Sequence, residues 1–154
     1  MLEDTARRSA EVMLAGDAAS RSLGMGLEHV GTGTAEVSMR VRPDMTNGWA
    51  LCHGGLIATL ADTAFAVACN SRGEVTVAAG FDITFLESAR AGDRLLARAT
   101  ERATRGRSGV YDVTVLRLAH DETPAEVIAE FRGRSRSLGR AIPGLAADFR
   151  EDHP

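Results

Sequence analysis

The sequence predicts an α+β domain in which an antiparallel sheet wraps a buried helix, and three observations carry that expectation. One segment is apolar nearly all round and of helical length. Four later segments have strand character and follow one another with only short turns between them. No repeat, low-complexity tract or linker divides the 154 residues. With 44% hydrophobic and 25% charged residues, the composition is that of an ordinary globular domain. A chain of this size buries about two thirds of the surface its unfolded form exposes, which is enough for one core.

The elements follow in order. Ala6, Ala10, Met13, Leu14 and Ala18 recur at spacings of three and four, predicting a first helix from about Asp4 to Ala19 that closes near Gly24. In TAEVSMRV, Ala35, Val37, Met39 and Val41 fall on one face and Glu36, Ser38 and Arg40 on the other, the pattern of a half-buried strand ended by Pro43. Asn47-Gly48 marks a turn. From Gly54 to Cys69 the only side chains bearing oxygen or charge are Thr59, Asp62 and Thr63, so this stretch reads as a central helix surrounded by protein and closed by Asn70, Ser71 and Gly73. Strands are expected over Val75 to Leu86, Arg94 to Thr104, Gly109 to Leu118 and Ala125 to Ser137. Residues 1–139 form one expected domain, and Arg140 to Pro154 an expected poorly ordered tail.

Several classes of function are disfavoured. The net charge of −3 supplies no global field for nucleic acid or an anionic membrane. No run approaches the roughly 20 apolar residues that span a bilayer, and MLEDTARRSA lacks a signal-peptide core, so the expectation is a soluble, cytoplasmic protein. Cys52 and Cys69, separated by mostly helical sequence, lie roughly 25 Å apart and form no disulfide. With His53 and Asp62 they complete no zinc-ligand spacing, and no metal or other cofactor is assigned.

Asp62 is the residue that demands explanation. Its helix-surface neighbours are Ala58, Thr59, Phe65 and Ala66, so it is an acid in apolar surroundings with no cation nearby in sequence. Desolvation makes such a carboxylate a candidate general base or nucleophile, while the plainer reading is a structural Asp bonded to the backbone or across the sheet. His53-Gly54-Gly55 opens the helix, where free N–H groups and the positive dipole end can polarise a carbonyl. A glycine pair equally well relieves crowding at a tight entry. Eight helical residues separate Gly54 from Asp62, a rise of about 12 Å, so the two reach one carbonyl only if the acid comes from a second, antiparallel copy of the helix.

These residues also carry a resemblance. NGWALCHGGLIATLADTAFAVACNS is similar to the signature of PaaI-like hotdog thioesterases, the phenylacetyl-CoA thioesterase group, and FDITFLESARAGDRLLARA, GVYDVTV and FRGRSRSLG extend the match from roughly Leu23 to Gly139. The resemblance implies a hotdog fold, a dimer of dimers, and hydrolysis of an aryl-acetyl-CoA to free acid and CoA. Asp62 matches the family's catalytic carboxylate, Gly54 its backbone donor, and Asn47 an amide near the reacting carbonyl, although Asn-Gly is also a turn former. His53, Gly55 and Thr63 are expected at the acyl site, Thr63 bonding either the carboxylate or its own helix backbone.

Trp49 departs from the family's usual histidine or small polar residue, and either walls the acyl pocket or anchors its loop. The CoA nucleotide is expected near Ser108 and Gly109 in Arg105 to Gly109, and near Arg134 in Arg132 to Arg136, because phosphates favour arginine and close backbone. Alternatives that remain are a medium-chain acyl-CoA thioesterase, a non-catalytic acyl-CoA-binding protein, and a hotdog dehydratase. For the last, His53 lies nine positions from Asp62 at the wrong end of one helix.

Overall fold

A computed structural model describes residues 1–145. Two helices, α1 (Leu2–Ala15) and α2 (Ala18–Ser22), precede strands β1 (Gly26–Gly31) and β2 (Thr34–Arg40). The central helix α3 (Gly54–Cys69) is followed by β3 (Glu74–Phe85), β4 (Arg94–Arg105), β5 (Ser108–Leu118) and β6 (Pro124–Ala141). All strand pairs are antiparallel, in the order β1-β2-β4-β5-β6-β3. Register shifts within the β3/β6, β4/β5 and β5/β6 pairs mark bulges, which bend long strands around a helix.

The face of β2 expected to be buried, Ala35, Val37, Met39 and Val41, is the face that joins the core around α3. Val37, Met39, Leu95, Ala97, Val113, Val115 and Phe131 from the sheet share one cluster with Ile57, Leu60, Ala64, Phe65 and Val67 from α3. Each fully buried large apolar side chain contributes about 1.5–3 kcal/mol of transfer free energy. Phe65 is the keystone: its ring packs tilted on Tyr111 at 5.4 Å and on Phe131 at 5.8 Å. A Cβ at Gly133 would lie only 2.8 Å from that ring, so β6 carries glycine where it passes beneath Phe65.

The structure departs from the sequence reading in four places. The first helix breaks at Gly16, and Asp17 restarts the chain as the N-cap of α2, its carboxylate accepting the Ser20 N–H at 2.9 Å. Strand β1 was not foreseen, because GLEHVG is six residues long, has glycine at both ends and shows no alternation. The helix expected to be enclosed on every side is not: Gly55 is exposed and Ala58, Thr59, Asp62 and Ala66 are half-buried, forming an open face of α3. The tail expected from Arg140 starts later, since β6 runs to Ala141, Ile142 and Leu145 are buried, and the Ile142 N–H donates to Gly73 at 2.8 Å. The rest of that expected tail lies outside the described residues. Among the described residues no helix is long and apolar enough to cross a membrane.

Among the described residues, strand β3 has β6 on one side and no strand on the other. Along it Val77, Phe81 and Phe85 are all about two-fifths or more exposed, an apolar row on an open edge.

Candidate active site

The loop leading into α3 is tied down at both ends. Cys52 N–H donates to Ala89 at 2.7 Å and His53 N–H to Met45 at 2.9 Å. Between them Asn47 organises the turn: its Oδ1 accepts the Trp49 N–H at 2.9 Å and the Leu51 N–H at 3.2 Å. Ala50 sits at φ 59° within that turn. The turn-forming reading of Asn47 therefore describes what its oxygen does, and only its NH2 group is left for a ligand.

His53 is the N-cap of α3 and its carbonyl accepts Leu56 and Ile57 N–H groups, while its exposed side chain caps nothing. The N–H groups of Gly54 and Gly55 meet no acceptor among the described residues, so two donors stand at the positive end of a 16-residue helix. The two glycines differ. Gly55 faces open space, whereas a Cβ at Gly54 would come within 3.0 Å of the Phe85 ring, which lies over this terminus from the end of β3. Phe85 was not singled out from sequence; its alternation in FDITF is visible, but its position over Gly54 is a long-range consequence of the fold. Trp49, expected as a pocket wall or a loop anchor, does neither within one chain and is 83% exposed.

Asp62 lies on the open face of α3, half-buried, with no hydrogen bond or ion pair to its carboxylate among the described residues. Burial raises its pKa from the ordinary carboxylate value, and the charge of Asp17 raises it further. Thr63 bonds neither Asp62 nor its own helix: its hydroxyl meets Ser20 Oγ at 3.0 Å. Burial also pushes the Cys69 thiol up to about 12 and raises Cys52, so both stay protonated and are poor nucleophiles. Among the described residues no three His, Cys, Asp or Glu side chains converge.

The residues assigned to the nucleotide separate. Arg134 pairs with Asp82 at 2.8 Å and Arg132 with Asp112 at 2.8 Å, so both cations are partly neutralised on the sheet. Gly109 is buried, and a Cβ there would lie 2.6 Å from Ser135 Oγ, so its glycine is required by packing. Arg107 and Ser108 line a cavity of 260 Å³ with Arg72, Tyr111 and Ser135, at the Cys69 end of α3. Arg72 is paired there with Glu101, which also accepts the Tyr111 hydroxyl at 2.9 Å.

Comparison with known proteins agrees with this architecture. The profile of the thioesterase superfamily matches residues 50–123, the span from the loop before α3 to the turn after β5. Acyl-coenzyme A thioesterase PaaI of Escherichia coli K12 is 40% identical over 139 residues, covering 90% of this chain and 96% of the relative. The chain belongs to the thioesterase superfamily. Its α+β hotdog fold superposes on the E. coli PaaI structure with a TM-score of 0.86, at 39% identity over 92% of this chain and 99% of that one. A variant of the phenylacetic acid degradation protein PaaI from Thermus thermophilus aligns with a TM-score of 0.72 and 33% identity, over 79% and 100% of the two chains. In this family the chain is a thioester hydrolase, and acyl-CoA is the substrate that membership implies.

Proposed function

We propose that this thioesterase hydrolyses an aryl-acetyl-CoA, of the phenylacetyl or hydroxyphenylacetyl type, with Asp62 as general base and the Gly54 N–H as donor to the thioester oxygen. The observation that carries the acyl class is Phe85. Its half-exposed ring borders the glycine at the helix terminus, and Phe81, further along the same row, stacks on Phe131 at 4.7 Å. An acyl group whose carbonyl sits on the terminus meets aromatic surface first, which favours a ring by stacking. The E. coli relative's place in a phenylacetic acid degradation operon points the same way.

In this reading Asp62 takes a proton from water as the water attacks the carbonyl carbon, and the oxygen gains charge against the helix N-terminus. Collapse of that intermediate expels CoA thiolate, which recovers the proton, leaving free acid and CoA. The raised proton affinity of Asp62 suits it to the base role, and its open face admits water.

Because α3 separates Gly54 from Asp62 by about 12 Å, the working unit is a two-fold dimer. If residue 54 of one copy adjoins 62 of the other, the axis passes beside the midpoint, position 58. That residue is Ala58, in the middle of an open face of Gly55, Thr59, Asp62 and Ala66, whose small neighbours permit close helix approach. The unpaired edge of β3 offers the same dimer a sheet-to-sheet contact, and two such dimers give the tetramer the family resemblance implies. His53 and Gly55 then border the acyl group, Asn47 offers its NH2 to the carbonyl region, and Arg107 with Ser108 offers a phosphate site for the nucleotide. One domain, residues 1–139 with the short extension to 145, carries the whole reaction.

The test is CoA release from phenylacetyl-, hydroxyphenylacetyl-, benzoyl- and straight-chain acyl-CoAs by the wild type and by Asp62→Asn. Expected are fastest turnover of the aryl-acetyl thioesters and a fall of about 10²–10⁴-fold in the variant with binding retained. Faster turnover of medium-chain thioesters would reassign the acyl class, and equal rates in the two proteins would remove Asp62 from the chemistry.

A further inference from the structure

One polar chain, from half-buried Asp17 through Ser20 to Thr63, leads to the residue next to Asp62. Asp17 accepts the Ser20 N–H at 2.9 Å and the Ser20 hydroxyl at 2.6 Å, and Ser20 Oγ lies 3.0 Å from Thr63 Oγ1. Ser20 and Thr63 are both buried. Counting protons fixes the direction of the chain. Asp17, as a carboxylate, only accepts; Ser20 has one hydroxyl proton and gives it to Asp17; Thr63 must therefore donate to Ser20. The order Thr63→Ser20→Asp17 runs from α3 into α2 and fastens a five-residue helix, too short to be stable through its own helical hydrogen bonds, to the position next to Asp62.

We propose that Asp17 is a positioning residue for the reaction: the Thr63–Ser20–Asp17 chain holds a second carboxylate at a fixed place, two hydrogen bonds from the residue that follows Asp62. This rests on the proposed role of Asp62 as the base. A fixed negative charge disfavours the anionic form of its neighbour and makes it a stronger base, as paired carboxylates do. Asp17 is the charge that bears on Asp62 from α2, adding to burial. From α3 itself Cys69 lies seven residues on, and its thiol stays neutral. In the proposed dimer His53 of the second copy also faces Asp62, and comparing Asp17 variants leaves that histidine unchanged. The arrangement also explains why Thr63 forgoes the bond to its own helix backbone: its proton is committed to holding α2.

The experiment is the pH dependence of kcat and kcat/KM with phenylacetyl-CoA for the wild type, Asp17→Asn and Ser20→Ala, with the melting temperature of each. Asparagine keeps an oxygen to cap α2 but removes the charge, so the acid limb is expected to move to lower pH. The kcat plateau is expected to fall roughly two- to tenfold, as a weaker base requires, with little change in KM. Ser20→Ala retains the charge and severs the link to Thr63, so a smaller shift in the same direction is expected. Carboxyl NMR titration of Asp62 in wild type and Asp17→Asn reads the same shift without turnover. A folded Asp17→Asn whose limb and Asp62 titration both stay in place overturns the proposal. If Asp62→Asn retains activity while the titration still moves, the assignment of the base has failed and the carboxylate coupling has not.

Discussion

Replacing Gly54 with alanine separates the chemistry of the α3 terminus from its packing. The added Cβ would lie 3.0, 3.2 and 3.4 Å from Cζ, Cε2 and Cε1 of Phe85, closer than ordinary contact. Phe85 is 47% exposed, so its ring can swing aside, and the cost falls at or below the low end of the roughly 1–3 kcal/mol typical of overpacking. Alanine regains up to about 1 kcal/mol of helix propensity over glycine, so the net change in stability is expected to stay within about 1 kcal/mol. In melting temperature that is about 2–4 °C for a domain of this size. Turnover is a different matter: the methyl group and the displaced ring occupy the approach to the Gly54 N–H. Losing one such donor costs about 10²–10³-fold in kcat, or about 2.7–4 kcal/mol of transition-state stabilisation. Steady-state kinetics with phenylacetyl-CoA, alongside thermal unfolding, reads both quantities. Unchanged kcat in a stably folded Gly54→Ala would refute the assignment of this terminus to the oxyanion.

Two further outcomes follow from the same contacts. Asp62 has a raised pKa in the folded chain, so the stability it contributes is complete below its unfolded value and is lost as pH rises through the folded one. Asp62→Asn should therefore melt above the wild type at pH 7, with the advantage vanishing below about pH 4; a variant less stable at pH 7 would show that the carboxylate has a structural partner. Gly133→Ala sets a Cβ 2.8 Å from Phe65, a ring 1% exposed and held between Tyr111 and Phe131. With no room to yield, a loss of about 1–3 kcal/mol is expected in denaturant titration, and a neutral result would mean that α3 shifts more freely over β6 than its packing implies.

What the sequence made legible is what short-range pattern encodes. The apolar run around Asp62 announced α3, and alternation in TAEVSMRV announced the face of β2 that meets it. Asp62 stood out because an acid among Ala, Leu and Phe violates the local rule, and such violations mark sites. Phe85 and the link from Asp17 were not legible, because each depends on a partner brought up only by the fold: Phe85 on Gly54, 31 positions earlier, and Ser20, which Asp17 holds, on Thr63, 43 positions later. The partners of the arginines were hidden for the complementary reason. Arg132 and Arg134 look like phosphate ligands in FRGRSRS, yet the register of β6 sets Arg132 opposite Asp112 of β5 and Asp82 of β3, and Arg134, opposite Gly80, reaches Asp82 diagonally, so Asp112 and Asp82 partly neutralise them.

The strongest consequence of the α3 geometry is that two inactive proteins should make an active one. Gly54→Ala lacks a usable donor but keeps Asp62, and Asp62→Asn lacks the base but keeps Gly54. If each site takes its donor from one subunit and its base from the other, a mixed dimer contains one site with both groups intact and one with neither. Random association of equal amounts gives half mixed dimers, each with one working site of two, so about a quarter of wild-type activity should return. Each variant alone gives about one hundredth or less. Co-refolding the two proteins and assaying CoA release measures this directly, and subunits of different charge allow the mixed dimer to be isolated. A mixture no more active than its parts would mean that Gly54 and Asp62 do not serve one carbonyl across a two-fold axis. Since about 12 Å of helix prevents them from doing so within one chain, the donor would then have to be sought elsewhere than at Gly54.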